Sequence, residues 1–217
     1  MPRAEHYNLP VFLLLFICCV LFMYVYLRYY KKLLKVFSSV LSYSASQQLQ
    51  REGYSFFSSF STSLFLIYMI CGSFFYTELT TYMGWFKNMP VVLITLLSVL
   101  VIGILVLIKK LIGYVLGLIL KEKNAIEDCF FQYTFSIYTS GLAMLVLCLL
   151  LYYSNLPSVY LFYIGIGFLL VLFVLRTIKI FVFGHLQYGF SIFHLVLYLC
   201  AVEIIPLVIF VKTILKV

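Results

Sequence analysis

The sequence predicts an all-α fold, a polytopic bundle of about six transmembrane helices in which residues 1–217 form a single integral membrane domain. Two observations support this prediction. Hydrophobic residues make up 65% of the chain and charged residues only 10%, whereas a soluble domain carries about 25% charged residues. The apolar residues also fall in runs close to the ~20 residues that a helix needs to cross the hydrocarbon core, where the backbone must satisfy its own hydrogen bonds.

Six apolar segments are long enough to span a bilayer. They lie at approximately 9–27, 58–76, 90–108, 131–153, 157–175 and 191–214. Positive charge follows the first segment instead of preceding it, so this segment is predicted to be a retained anchor and not a cleaved signal peptide. The second segment is diluted by serine and threonine. Pro90 and Pro157 lie near the starts of the third and fifth segments, where a helix tolerates proline.

Most of the 15 basic residues lie in three alternate connections between these segments. Because basic connections face the cytoplasm, the chain is predicted to form three helical hairpins with both termini outside the cytoplasm. The extensions 28–42, 109–120 and 176–190 are expected to be interfacial helices, here called the basic elbows, although re-entrant segments stay open for the last two. Their candidate basic residues are Arg28, Lys31, Lys32, Lys35, Lys109, Lys110, Arg176 and Lys179. The elbows are interpreted as topology signals that contact lipid headgroups, with a docking platform for a partner protein as the alternative.

The sequence contains no motif for catalysis or metal binding. It lacks G-x-S-x-G, H-E-x-x-H and Walker patterns, and no pair of its six cysteines has metal-ligand spacing. We therefore expect no cofactor and no metal, and we interpret the cysteines as small apolar side chains. The net charge of +8 does not indicate nucleic-acid binding, because the basic residues cluster at the ends of apolar runs. Glu127 and Asp128 precede the fourth segment and are interpreted as a helix start instead of an acid–base pair.

Glu203 lies in the middle of the sixth segment and is the principal candidate for a functional residue. A charged carboxylate there costs at least ~2.5–3.5 kcal/mol, so we expect a protonated or partnered side chain that faces the bundle interior. Pro206 removes a backbone hydrogen bond on the same helix and is expected to kink it. Helical geometry places Ser191, His194 and Tyr198 on a different face from Glu203. These five residues are the intramembrane polar candidates.

The same segment resembles a known family. The pattern F-S-x-F-x-L-x-L-Y-L-C-x-x-E-x-x-P, which begins at Phe190 and ends at Pro206, is similar to the C-terminal signature of a Bacteroidota membrane protein family, domain of unknown function 4271. The resemblance implies a protein of a Gram-negative inner membrane, and in such a membrane the termini predicted from the basic connections lie in the periplasm. It implies no activity.

Three functions remain open at this stage. The sequence favours a non-enzymatic accessory or assembly subunit of an envelope complex, with membrane lipids and other inner-membrane proteins as partners. The alternatives are a small proton-coupled transporter that uses Glu203 and an intramembrane enzyme that modifies lipid. Two or more polar residues that converge on Glu203 around a water-filled cavity would favour transport, and a tightly packed Glu203 would favour a structural role. The oligomeric state is left open.

Overall fold

A computed structural model of the chain describes residues 9–42, 58–84, 90–120, 123–154 and 157–188. Within these ranges the protein is all-α and contains five helices and no strand. The helices are α1 (Leu9–Leu41), α2 (Ser59–Met83), α3 (Val91–Leu120), α4 (Lys123–Tyr153) and α5 (Ser158–Tyr188). The segment 191–214, predicted to be the sixth span, lies outside the described residues.

All five helices are long and apolar enough to cross a membrane. The first five predicted segments, including the serine- and threonine-rich second one, are thus helices with the length and composition of membrane spans. The outer faces of the bundle carry exposed apolar side chains, such as Leu27, Leu96 and Tyr163. Exposed apolar surface on this scale is unfavourable in water and suits contact with lipid tails.

The helices α2 and α4 form the centre of the bundle, and α1, α3 and α5 pack around them. In an apolar 18-residue stretch of the α4 span 72% of the residues are buried, whereas in the corresponding stretch of α3 only 11% are. Two contacts fix the register of the central pair: Ser61 with Tyr138, and Cys71 with Cys148. Both join residues 77 positions apart, so α2 and α4 run parallel to each other.

A glycine allows the two central helices to approach closely. A Cβ atom added at Gly141 of α4 would lie only 2.8 Å from the Cα atom of Tyr68 on α2. Small residues at helix contacts are common in membranes, because helix association there depends on close packing and not on hydrophobic burial. Gly141 therefore sets the distance between α2 and α4.

The hydroxyl groups of α2 are satisfied within the bundle, which explains how a polar helix occupies its centre. Ser73 Oγ donates to the carbonyl of Met69 at 2.5 Å, and Thr77 Oγ1 donates to the carbonyl of Ser73 at 2.8 Å. The Ser61 hydroxyl is hydrogen-bonded to the buried phenol of Tyr138. Since a buried hydroxyl without a partner is costly, these bonds keep the serines and threonines compatible with a membrane interior.

The ends of α2 and α3 follow from local sequence. The side chain of Ser58 accepts a hydrogen bond from the Ser61 amide at 3.3 Å and caps the start of α2. Gly84 ends α2 in the left-handed region, at a φ of 73°. Pro90 immediately precedes α3, and its carbonyl accepts a hydrogen bond from the Leu93 amide at 3.0 Å. The predicted position of Pro90 at a helix start is thus confirmed.

The basic elbows are helical in the described residues, and each of them continues the helix of the span that precedes it. The helices α3 and α5 run without a break to residues 120 and 188. Only α1 is interrupted, at Tyr29, where φ is −132° and ψ is 28°. Nothing in the sequence of α3 or α5 removes an intrahelical hydrogen bond at the elbow, since neither helix contains an internal proline.

The structure corrects the interpretation of Glu127 and Asp128. The helix α4 begins at Lys123, eight residues before the predicted span, and its first turn contains no acidic residue. The two carboxylates therefore lie in the second turn and not at the helix start. The sequence prediction missed this turn because "EKNAIED" is polar and stands outside the apolar run that marked the span.

Candidate functional site

The C-terminal end of α1 is joined to α5 by one of the predicted basic residues. Lys179 Nζ donates a hydrogen bond to the backbone carbonyl of Ser39 at 2.5 Å. Ser39 lies in the last turn of α1, where carbonyl groups have no partner within the helix. A cation at this position also interacts favourably with the negative end of the helix dipole. Lys179 thus connects the first and third basic elbows.

Two further predicted basic residues meet beside one aromatic ring. Lys109 Nζ of α3 lies 5.3 Å from the ring centroid of Tyr133 on α4, and the guanidinium carbon of Arg176 on α5 lies 4.9 Å from it. Arg176 also lies 5.4 Å from the ring of Phe173. Such cation–π contacts stabilise a partly buried cation. Together with Lys179, they place charges from the second and third elbows at the same end of the bundle as the end of α1.

A cavity of about 300 Å³ lies next to this cluster, between α3 and α5. One part of its lining is polar and includes Tyr68, Lys109, Tyr133, Ser136, Ser140 and Arg176. The rest is apolar and consists mainly of aliphatic side chains of α3 and α5. We refer to it as the basic cavity. An enclosure with a cationic rim and apolar walls is able to hold an anion that carries a hydrocarbon part.

The two serine hydroxyl groups of the basic cavity already use their protons. Ser136 Oγ donates to the carbonyl of Gln132 at 3.1 Å, and Ser140 Oγ donates to the carbonyl of Ile137 at 2.8 Å. Their oxygens retain accepting capacity only. Lys109 and Arg176 therefore carry the positive charge of this site, and they are the residues expected to interact with an anion.

The remaining basic candidates lie on outer surfaces. Arg28, Lys31 and Lys32 on α1 and Lys110 on α3 are exposed, and Lys35 is half-buried. Arg28 and Lys32 lie 5.8 and 5.9 Å from the ring of Tyr29, beside the break in α1. The predicted basic residues thus divide into an outer group on α1 and α3 and an inner group of Lys109, Arg176 and Lys179 at one end of the bundle.

The intramembrane candidates of the sixth segment lie outside the described residues. These are Glu203, Pro206, His194, Tyr198 and Ser191. Their predicted positions and roles therefore stay predictions.

Sequence reasoning missed the α4 side of the basic cavity. Its residues Tyr133, Ser136, Ile137 and Ser140 recur at i, i+3, i+4 and i+7, the spacing of a single helix face. This periodicity could have identified a polar stripe on α4. It could not have indicated which cations the stripe faces, because Lys109 and Arg176 come from two other helices.

Three buried cysteines also meet at the centre of the bundle. Cys18, Cys71 and Cys148 come from α1, α2 and α4 and are completely buried. Cys148 Sγ donates to the carbonyl of Cys71 at 3.4 Å, and the thiol of Cys18 lies beside that of Cys71. Their packing agrees with the interpretation of small buried side chains. Across the described ranges, no group of three or more His, Cys, Asp or Glu residues is placed to hold a metal ion.

Comparison with known proteins places the chain in a family without assigning an activity. No curated protein and no solved structure matches it. The family resemblance noted for the C-terminal segment extends over nearly the whole sequence and is confirmed. Residues 11–214 match the family described as Domain of unknown function (DUF4271), and the chain therefore belongs to this family.

Proposed function

We propose that the protein is a non-enzymatic accessory or assembly subunit in the inner membrane of a Gram-negative bacterium. The observation that supports this role most directly is the convergence of basic residues at one end of the bundle. Lys179 contacts the end of α1, and Lys109 and Arg176 share the ring of Tyr133. The exposed charges of α1 form a second basic surface, which suits contact with anionic headgroups or with an acidic partner.

The proposed threading has six spans in three hairpins, with 191–214 as the sixth and both termini in the periplasm. The basic residues of the three elbows lie at the same end of the bundle, and this supports the threading because residues at one end of a bundle lie on one side of the membrane. In a cysteine-free background, Lys110→Cys should resist an impermeant thiol reagent in intact spheroplasts, whereas Tyr82→Cys should react. Both side chains are exposed. Labelling of Lys110→Cys with protection of Tyr82→Cys would invert the threading.

The accessory role is tested by the exposed charges of α1. Replacement of Arg28, Lys31 and Lys32 by glutamine should abolish recovery of a stoichiometric membrane partner with the full-length tagged protein. The matched control replaces Lys31 and Lys32 by arginine, which preserves the charge, and should preserve recovery. Topology labelling of both variants checks that the loss of positive charge has not inverted the orientation of the protein in the membrane. Purification of the wild type without any stoichiometric partner would contradict the role.

A second candidate is a small proton-coupled transporter that uses Glu203. The basic cavity supports it, because polar side chains of α2 and α4 and the two cations of α3 and α5 line a space of about 300 Å³. In this case Glu203→Gln should abolish function at normal abundance, since an amide cannot exchange a proton. No observation among the described residues favours the third alternative, an enzyme that modifies lipid.

A further inference from the structure

The position of the basic cavity along the membrane normal indicates the kind of molecule it suits. Lys109 lies near the end of the span Val91–Ile112, and Arg176 lies near the end of the span Val159–Lys179. With these two spans as the part of each helix inside the hydrocarbon core, both cations lie at the depth where hydrocarbon gives way to headgroups. Lipid phosphates lie at this depth, and arginine and lysine are common ligands of phosphate.

The walls of the cavity suit a hydrocarbon chain. Leu105 and Val106 of α3 and Leu169 and Leu172 of α5 line its apolar part, and it is half-open to the surface of the bundle. Beside it, the outward-facing residues of both helices are large and apolar, and their exposed fractions are high, as in Leu107 with 66%. In a membrane this surface contacts lipid tails, so the opening faces the acyl-chain region.

Charge favours an anion over a neutral occupant. Lys109 and Arg176 lie 5.3 Å and 4.9 Å from the ring centroid of Tyr133, so two positive charges stand at one end of the cavity. A negative charge between α3 and α5 is attracted to both, and the partial desolvation of the site strengthens this attraction.

We propose that the basic cavity binds an anionic phospholipid of the leaflet on the basic side, with the phosphate at Arg176 and Lys109 and an acyl chain between α3 and α5. This site depends on the membrane placement of the bundle and not on the accessory role. A lipid fixed here would fill the gap between α3 and α5 and hold the two helices in position around α4.

The test is native mass spectrometry of the full-length protein in detergent, titrated with phosphatidylglycerol and, separately, with phosphatidylcholine. We expect one phosphatidylglycerol to bind at least tenfold more tightly than phosphatidylcholine. Arg176→Gln and Lys109→Gln should each weaken phosphatidylglycerol binding by about tenfold, and Arg176→Lys should lose less. The matched control is Lys110→Gln, which removes an exposed neighbouring charge outside the cavity lining and should change binding less than twofold.

Three outcomes would overturn the proposal. Equal binding of both lipids would mean that the headgroup charge is not recognised. Displacement of phosphatidylglycerol by millimolar inorganic phosphate would indicate a site for a free anion. Binding that appears only in Glu203→Gln would mean that the cations already pair with the chain's own segment 191–214. If Arg176→Gln does not fold, Lys109→Gln carries the test, and none of these results depends on recovery of a partner protein.

Discussion

The close approach of α2 and α4 makes Gly141→Ala the most informative single substitution in the bundle. The added Cβ atom would lie 2.8 Å from both the Cα and the Cβ atom of Tyr68 and 3.0 Å from its backbone nitrogen. Ordinary contacts of a Cβ atom begin near 3.4 Å, so the helices must separate by about 0.6 Å. Rotation of the Tyr68 side chain cannot relieve the clash, because two of the three atoms belong to the backbone.

The expected loss of stability follows from this clash. Overpacking a close-packed interior costs about 1–3 kcal/mol, and a clash with backbone atoms belongs in the upper part of this range. Alanine exceeds glycine in helix propensity by up to about 1 kcal/mol, which offsets part of the cost. We expect Gly141→Ala to lower the free energy of unfolding by about 2 kcal/mol. By the scaling for domains of this size, the unfolding temperature should fall by about 4–8 °C.

The matched control is Gly167→Ala on α5. An added Cβ atom there would have no neighbour within 4 Å, so this variant should unfold at or above the wild-type temperature. Gly165→Ala should fall between the two, because its Cβ would meet the movable ring of Phe75 at 2.7 Å.

Unfolding can be followed with a thiol-reactive dye in detergent, since Cys18, Cys71 and Cys148 are completely buried in the folded bundle and become reactive when it opens. If Gly141→Ala and Gly167→Ala unfold within 1 °C of each other, α2 and α4 do not approach each other at Gly141 as closely as the distance of 2.8 Å requires.

Three further predictions concern hydrogen bonds and the candidate carboxylate. Tyr138→Phe should lower the free energy of unfolding by about 1 kcal/mol, because the Ser61 hydroxyl loses its hydrogen-bond partner. A double-mutant cycle with Ser61→Ala should show coupling between the two substitutions, and additive losses of stability would contradict the hydrogen bond. Lys179→Met should destabilise the bundle by about 1–3 kcal/mol, because the carbonyl group at the end of α1 loses its hydrogen-bond donor. Substitution of the exposed residue in Lys110→Met should change the dye-monitored unfolding little, and equal destabilisation by the two substitutions would exclude the capping role. Glu203→Gln should leave the abundance of the protein in native membranes unchanged, and Glu203→Ala should reduce it. Equal losses of abundance in the two variants would favour an ion pair over a neutral, hydrogen-bonded carboxyl group.

The fold class could be predicted because membrane insertion leaves a strong mark on sequence. A run of about 20 apolar residues has few alternatives to a spanning helix, and all five described helices correspond to such runs. Helix ends were less predictable, as α4 shows, because its first two turns are polar and need no lipid contact. The segment 109–120 was predicted to be helical, but its unbroken continuation of α3 was not foreseen, because two lysines mark a membrane boundary without breaking a helix.

The basic cavity was predictable only in its separate parts. The sequence identified Lys109 and Arg176 as basic residues at the ends of spans, but it provided no information that they share the ring of Tyr133. Contacts of this kind depend on which helices are neighbours and on how each is rotated about its axis. Apolar runs determine neither, because lipid is nearly as apolar as the helix interface and does not favour one face strongly.

The parallel pairing of α2 and α4 has a consequence for biogenesis. Residues such as Ser61 and Tyr138 that meet in the finished bundle are made 77 residues apart, which at 5–20 residues per second corresponds to roughly 4–15 s of translation. During that interval α2 has been synthesised, but the helix that provides the hydrogen-bond partner of the Ser61 hydroxyl has not. The helix α2 is also the least apolar of the five described spans. Its insertion must therefore depend on temporary shelter at the insertion machinery or against α1 and α3, which are made before Tyr138 and pack on α2. Stalling translation before Tyr138 should leave α2 open to extraction from the membrane.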